Sequence, residues 1–240
     1  MVIRRFLLFL LLFCGCMAVI AEELSPERFL EIARRPPGRE CWARMTGTAI
    51  HARSGSKAEE AKLELAIMFT PARTLAQMVI NDSQGYLVGQ KYGPGQDMTS
   101  IIPLDSEGYK DPILGKFGLR PEDLTMTFIF WQYVRELERD DIKGQECRVF
   151  LLQSPSKEMP ETVRVYISAK YFFPLKVQWV GKEGDVPYRN MEITSFRKEN
   201  DYWLVGSMIL YGTGWKTKVS FDSAEAGEQK DLPDNFFRRK

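Results

Sequence analysis

VRVYI at residues 163–167 and LKVQW at residues 175–179 are the stretches that decide the fold of this chain. Apolar and polar residues alternate along both, which is typical of strands with one buried and one solvated face. Three more alternating stretches follow at residues 189–196, 203–211 and 215–221, and turn residues separate all five. The sequence therefore predicts a β-meander with one continuous apolar face.

Six further strands are predicted upstream of this meander. Residues 61–69 are the clearest of them, because the apolar side chains of this stretch fall on one face. The others are residues 39–51, 73–81, 86–92, 98–104 and 147–153. An antiparallel sheet of about eleven strands rarely stays flat, so we expect it to curl.

Two helices are predicted beside the strands. Ser25-Pro26-Glu27 is typical of a helix start, with a capping hydroxyl, an early proline and an acid near the positive end of the helix dipole, and Pro36-Pro37 ends that helix. A second helix is predicted from Arg120 to about Glu138. Its apolar residues spread around most of its circumference. Either it is buried between layers, or one face closes a cavity while another packs on the scaffold.

These elements predict a mainly β (α+β) fold: a curled antiparallel half-barrel of about eleven strands, with an N-terminal helix and an inserted lid helix. The length of 240 residues fits a single domain, at residues 22–240. Large apolar side chains on such a face fill a core in many proteins, but under a lid they also line a lipid-sized pocket. The residues predicted to line this cavity are Leu65, Ile67, Phe69, Phe128, Trp131, Val165, Ile167, Val177, Trp179, Ile193, Trp203 and Val205.

The N-terminus predicts export from the cytosol. Arg4-Arg5 precedes a wholly apolar run at residues 6–13, and Val19-Ile20-Ala21 has the small-residue pattern that signal peptidase recognises. We interpret residues 1–21 as a cleavable signal peptide, because the apolar run is short for a membrane span. An uncleaved anchor and lipidation at Cys16 remain as alternatives. The predicted location is the periplasm, with or without a lipid anchor.

Cys41 and Cys147 are the two cysteines that follow the signal region. An even pair in an oxidising compartment suggests a disulfide. Closing so long a loop would contribute about 4–5 kcal/mol in the chain-entropy model. Two unrelated buried thiols are the alternative, since the sequence does not give their geometry.

Catalysis, metal binding and nucleic-acid binding find little support. No Gly-x-Ser-x-Gly elbow or phosphate loop is present, and the single histidine, His51, is interpreted as a solvated residue at a strand end. One histidine and no Cys-x-x-Cys pair predict neither a metal site nor a cofactor. The formal net charge of +1, with acids interspersed among the bases, argues against a nucleic-acid partner. What remains to carry a function is apolar surface.

Several segments, in their order and spacing, resemble the LolA-like family of outer-membrane lipoprotein-sorting proteins. The matching segments are FGLRPEDL at residues 117–124, GQECRV at 144–149, VRVYI at 163–167 leading into FPLKV at 173–177, and LPDNFF at 232–237. The resemblance spans nearly the whole chain after the signal region. It is greatest to a less-characterised branch of that family.

The resemblance implies a half-open β-barrel whose helices form a lid over a cavity for lipoprotein acyl chains or other lipid. Each CH₂ that leaves water contributes about 0.8 kcal/mol, so acyl chains need a protein carrier to cross an aqueous space. The implied function is a periplasmic carrier that moves its cargo toward the outer membrane, with an inner-membrane donor and an outer-membrane acceptor as partners. Two alternatives stay open: a lipid- or lipoprotein-sensing interaction module of the envelope, and an outer-membrane acceptor lipidated at Cys16.

One departure from the family concerns the lid. In the family's best-known carrier a strand ends with Arg-Pro, and that arginine holds the lid. Thr70 stands at this position here, before Pro71, and Arg73 is the residue that could take over the role.

Overall fold

The computed structural model describes residues 24–34, 40–92, 99–105, 107–155, 161–181 and 186–237. The predicted signal peptide, Cys16 and the helix end at Pro36-Pro37 lie outside these residues. Within them, twelve strands form one antiparallel sheet that does not close. The strands are β1 Cys41–Arg53, β2 Glu59–Phe69, β3 Arg73–Ile80, β4 Gln84–Lys91, β5 Thr99–Pro103, β6 Gln132–Ile142, β7 Gln145–Gln153, β8 Thr162–Ser168, β9 Pro174–Val180, β10 Pro187–Glu199, β11 Tyr202–Gly212 and β12 Trp215–Glu228.

Two meanders meet at the centre of this sheet, whose strand order is β5-β4-β3-β2-β1-β12-β11-β10-β9-β8-β7-β6. The first and last strands pair along their whole length, from Cys41 opposite Glu228 to Arg53 opposite Trp215. All eleven predicted strands are present. β12 runs beyond the predicted end at residue 221, because β1 supplies hydrogen-bonding partners as far as residue 228.

The predicted helix from Arg120 to about Glu138 is wrong. The segment contains α3, only Pro121–Thr125, and then a 3₁₀ turn at Thr127–Phe130. Met126 separates the two with a positive φ of 55°, which a continuing right-handed helix does not allow.

The second half of that predicted helix forms β6, the one strand of the twelve that the sequence did not predict. A two-residue turn, Lys143-Gly144, joins β6 to β7, and both of its residues have positive φ, as a type I′ hairpin turn requires. The strand pairing over residues 132–142 satisfies the backbone that a helix would have satisfied internally. Tertiary pairing, which helical periodicity does not reveal, therefore decides this stretch.

In the part of the chain that the structure describes, three short α-helices accompany the sheet: α1 Pro26–Arg34, α2 Ile113–Lys116 and α3. The predicted start of α1 is confirmed, since the Ser25 side-chain oxygen accepts a hydrogen bond from the backbone N–H of Arg28 at 3.3 Å. None of the helices in the described residues is both long and apolar enough to cross a membrane.

Residues 107–131, which we call the lid segment, cross the inner face of the sheet. At the start of this segment, the Tyr109 hydroxyl exchanges hydrogen bonds with the backbone of Gly85 on β4, at 2.8 and 2.9 Å. Further along, Asp123 bonds Arg189 on β10. One short segment thus contacts strands that lie far apart in the sheet order, which requires the predicted curl.

Candidate functional site

The inner face of the curled sheet carries the main apolar core, and the structure brings ten of the twelve predicted cavity residues to it. Seven of them are buried in this core: Leu65, Phe128, Val165, Ile167, Val177, Trp179 and Ile193. Three are half-buried against it: Ile67, Trp131 and Val205. The sequence pattern therefore selected residues that belong to one core or pack against it.

The other two predicted residues, Phe69 and Trp203, lie outside that core. Phe69 is half-buried at the end of β2, and Trp203 is 69% exposed near the start of β11. Irregular pairing around Ser195 shifts the register between β10 and β11. Trp203 lies an odd number of positions from the core residues Met208 and Leu210, so strand alternation directs it to the face opposite theirs.

The lid segment covers the inner face with its own apolar side chains. Phe128 is fully buried and meets Trp179 edge to face, with ring centroids 5.8 Å apart. The α1 helix adds Phe29, whose ring centroid lies 5.5 Å from that of Phe150 on β7. Further lid-segment residues in the core are Leu114, Phe117, Leu119, Leu124, Met126 and Ile129. A ligand therefore reaches the inner face only if the lid segment moves.

Arg34, the last residue of α1, holds the C-terminal end of the lid segment. Its Nε donates to the carbonyl oxygen of Ile129 at 2.7 Å, and its Nη2 donates to that of Trp131 at 2.8 Å. Burial of the guanidinium lowers the pKa of Arg34. Tyr92, just beyond β4, stacks on Phe130 of the same turn with ring centroids 6.0 Å apart. This end is thus fixed by two hydrogen bonds to carbonyls and one ring contact.

Arg189, on β10, holds the lid segment at α3. Its Nη1 donates to Oδ1 of Asp123 at 2.8 Å, and its Nη2 donates to Oδ2 of Asp123 and to the carbonyl oxygen of Gly118. Both side chains are buried, with Arg189 4% exposed and Asp123 fully covered. Asp123 also accepts the backbone N–H of Arg120 at 2.6 Å and so caps α3. Arg189 and Asp123 therefore form a desolvated, bidentate ion pair.

His51 is buried, which corrects the prediction of a solvated residue. Its Nδ1 lies 2.7 Å from the Thr217 hydroxyl, which donates to the carbonyl oxygen of Phe117 in the lid segment. Because that hydroxyl proton is used on the carbonyl, Nδ1 of His51 carries a proton, while Nε2 accepts from Nε of Arg53 at 2.9 Å. His51 is neutral in this arrangement. Burial, and then the charge of Arg53, lower the pKa of His51.

Arg73, the predicted replacement for the family's lid-holding arginine, is exposed at the start of β3. Its backbone N–H and carbonyl bond the Thr70 hydroxyl. It lines a groove together with Tyr92, the residue that stacks on Phe130. Within the described part of the chain, no hydrogen bond joins the Arg73 side chain to the lid segment, and its role in the lid stays a prediction.

Cys41 and Cys147 are free, buried thiols, which corrects the prediction of a disulfide. Cys41 shares the face of Met45 by the alternation of β1, and Met45 belongs to the main core. Cys147 packs with Val149 and Tyr166 in a separate cluster. The two thiols therefore lie on opposite faces of the sheet. Burial raises the pKa of Cys147 to about 11.

Sequence reasoning missed the arginines that hold the lid segment. Arg189 does carry a signal, since it alternates with Met191 and Ile193 and so takes an inward position, where an arginine needs a buried partner. Arg34 bonds backbone carbonyls, which leave no mark in a sequence.

No protein-family model matches this chain, and a search of curated proteins finds no match. Solved structures do match over most of its length. A Vibrio parahaemolyticus domain assigned to outer-membrane lipoprotein sorting is 16% identical, with a TM-score of 0.63 over 86% of this chain and 92% of that one.

Two further structures have the same architecture. A DUF1329 family protein from Desulfovibrio piger is 13% identical, with a TM-score of 0.61 over 88% of this chain and 93% of that one. A LolA superfamily protein from Nitrosomonas europaea is 12% identical, with a TM-score of 0.55 over 90% of this chain and 98% of that one. At these identities the likeness concerns the fold. The LolA-like fold predicted from the sequence is confirmed.

Proposed function

We propose that this chain, which has the LolA fold, is a carrier that binds acyl chains of lipoproteins or other lipids between its curled sheet and its lid segment. The observation that supports this most directly is how the inner face is covered. Apolar side chains of the lid segment lie on it, but polar contacts at Arg34 and Arg189 hold that segment in place. Such a cover can leave as a unit and expose a ready-made apolar surface.

The proposed location is the periplasm, reached through the predicted signal peptide at residues 1–21. There the carrier would take lipid from an inner-membrane donor and pass it to an outer-membrane acceptor. The lid segment gives a physical basis for release, because its side chains compete with the ligand for the same apolar surface. No catalytic step belongs to this proposal.

Phe128 provides the test, because it is fully buried and a bound acyl chain has to displace it. In Phe128→Ala, part of the inner face is already vacant, so we expect a fluorescent fatty acid to bind more tightly than to the unmodified protein. Phe236→Ala is the matched control. Phe236 is also a buried phenylalanine, but it packs with Trp42 in a separate cluster.

Binding is measured by fluorescence titration, and one-to-one stoichiometry by native mass spectrometry. We expect Phe236→Ala to bind the fatty acid like the unmodified protein even if both variants lose stability. Hydrogen exchange should show faster exchange of amides 113–131 when the fatty acid binds, with the strands still protected. The proposal fails if no one-to-one complex forms, or if all three proteins bind the probe equally.

A further inference from the structure

A pocket of about 520 Å³ lies beside the covered face, where β1 ends and β12 begins. The arginines Arg53, Arg120 and Arg189 line it. Backbone of the lid segment at Gly115 and Gly118 forms another part of its wall. A pocket with three guanidinium groups attracts an anion. The contacts of each group show whether a carboxylate already neutralises its charge.

Two of the three arginines are paired with carboxylates. Arg189 bonds Asp123 through two nitrogens, as described above. Arg120 donates from Nη1 to both carboxylate oxygens of Glu161, at 3.0 and 2.7 Å. Each pair is close to neutral as a unit. These pairs shape the pocket without giving it much charge.

Arg53 is different. Its Nε donates to His51 at 2.9 Å, and its Nη2 donates to the carbonyl oxygen of Lys116 at 3.1 Å. Both acceptors are uncharged, and the described residues place no carboxylate in an ion pair with this guanidinium. Two contacts leave further N–H groups on a planar fork that matches phosphate oxygens. Arg53 therefore brings a positive charge that is held in position and not neutralised by a direct partner.

The walls of the pocket also leave room for a ligand. Gly118 has a φ of +64°, and a Cβ there would lie 2.8 Å from the Trp215 ring, so only glycine fits. A Cβ at Gly115 would meet nothing within 4 Å, which leaves the space in front of it open. The lid-segment backbone at Gly115 can thus come close to a bound group, whereas Trp215 already covers the backbone at Gly118.

The same pocket adjoins the apolar interior. Leu119 and Trp215 line it, and Leu119 is part of the main core while Trp215 packs against that core. An amphiphile could therefore place its polar group among the arginines while its apolar part continues along the inner face. Inorganic phosphate could occupy the same position without any apolar part.

We propose that this pocket is an anion site that binds a phosphate group, with Arg53 as its principal charged ligand. In its fuller form, in which the phosphate is the head group of a bound lipid, the inference rests on the proposed carrier function. The anion site itself does not. Arginine is the side chain best suited to this task, because its N–H groups form paired, charge-assisted hydrogen bonds with phosphate oxygens.

The experiment compares three probes by isothermal titration calorimetry: inorganic phosphate, dihexanoyl phosphatidate and dihexanoylglycerol. The last two have the same acyl chains and differ in the phosphate. We expect phosphatidate to bind about tenfold or more tightly than the diacylglycerol, which is the range of one charge-assisted hydrogen bond. In Arg53→Gln the ratio of the affinity for phosphatidate to that for diacylglycerol should fall about tenfold. In Arg53→Lys this ratio should lie between those of the unmodified protein and Arg53→Gln. Arg135→Gln, an exposed arginine on β6, is the matched control and should keep the full ratio.

The outcomes separate the two proposals. If phosphate alone binds, and binds less well to Arg53→Gln, the anion site stands with free phosphate as its ligand and the carrier function fails. If both lipids bind equally well, or if Arg53→Gln keeps the full ratio while thermal unfolding shows that it is folded, the anion site is refuted and the carrier function stands. An Arg53→Gln protein that does not fold leaves the comparison to Arg53→Lys, which must lower the ratio for the inference to hold.

Discussion

The two ends of the lid segment are held by arginines in physically different ways. At its C-terminal end, Arg34 reaches from α1 and bonds the carbonyl oxygens of Ile129 and Trp131. At α3, Arg189 reaches from the sheet and bonds the fully buried carboxylate of Asp123. The first contact pairs a charge with neutral dipoles. The second pairs two charges that have both lost their water.

This difference decides what opening costs at each end. Water can replace the carbonyl partners of Arg34 with little loss, because a hydrogen bond to water is nearly equivalent to one within the protein. Separating Arg189 from Asp123 while both remain in an apolar setting leaves two uncompensated charges. We therefore infer that the end at Arg34 opens first and that the end at Arg189 acts as the hinge side.

The largest expected effect comes from breaking the contact at Arg189. Asp123→Ala leaves the buried guanidinium without its carboxylate, and removal of one partner from such a pair typically costs about 3–5 kcal/mol. It also removes the cap of α3. We expect a loss of this size in the free energy of unfolding, measured by urea denaturation.

The double variant Asp123→Leu with Arg189→Met is the control for charge. It removes both partners and fills the site with apolar groups, so it should recover most of the stability lost in Asp123→Ala. A double variant no more stable than the single one would show that the loss comes from the cap or from packing and not from an unpaired charge.

A smaller effect is expected at the other end. Arg34→Met keeps the apolar part of the side chain and removes both hydrogen bonds, for a loss of about 1–3 kcal/mol. Hydrogen exchange should become faster at amides 127–131 and remain unchanged around α3. Arg28→Met on the same helix is the control, since the Arg28 side chain forms an exposed pair with Glu31. Equal exchange in the two variants would contradict the assignment of Arg34 to this end.

A third, smaller effect depends on pH and concerns the end at Arg189. His51 has a lowered pKa in the folded protein, so the unfolded chain binds more protons below its ordinary value of about 6.5. Its contribution to stability is therefore full above that pH and is lost as the pH falls toward the folded-state pKa. Arg53 and Thr217 face its two ring nitrogens, and the nearby charge of Glu59 acts against the lowering.

Urea denaturation between pH 5 and pH 8, for the unmodified protein and His51→Gln, measures this contribution. The difference in unfolding free energy between the two should shrink as the pH falls. Burial raises the pKa of Glu122, which has the opposite sign, but that contribution is common to both proteins and cancels in the difference. A difference that does not change with pH would show that His51 is not held neutral.

The smallest effect is expected at Arg73. Its side chain is exposed, and surface substitutions of this kind usually change stability by less than about 0.5 kcal/mol. Arg73→Gln should therefore leave both the urea midpoint and the exchange at amides 127–131 unchanged. A variant with fast exchange at those amides would return the lid-holding role to the position that the family resemblance suggested.

Much of the fold can be predicted from the sequence, because strand alternation is a local property. Residues 163–167 and 175–179 alternate cleanly, and β8 and β9 enclose them within one residue at each end. Residues 120–138 could not be predicted in the same way. The stretch begins with residues typical of a helix start, but a backbone bend at Met126 and the pairing of β6 with β7 decide the outcome.

In the candidate site, too, local strand alternation could be predicted and contacts between distant parts of the chain could not. Residues such as Val165 and Trp179 reach the inner face by strand alternation, whereas Trp203 lies an odd number of positions from the core residues Met208 and Leu210 and is exposed. The two thiols could not be placed, because the faces on which Cys41 and Cys147 lie depend on the whole topology. Arg34 could not be found at all, since its partners are backbone atoms distant in the sequence.

The pairing of β1 with β12 at the centre of the sheet has a consequence for the order of events during synthesis. Each meander forms from neighbours in the chain, but the pairing that joins them waits for the last strand to be made. Contacts so distant in sequence form slowly. Until residues 215–228 arrive, β1 and β11 each present an open edge that invites pairing with other chains. The newly made protein is therefore most exposed to aggregation just before its synthesis ends.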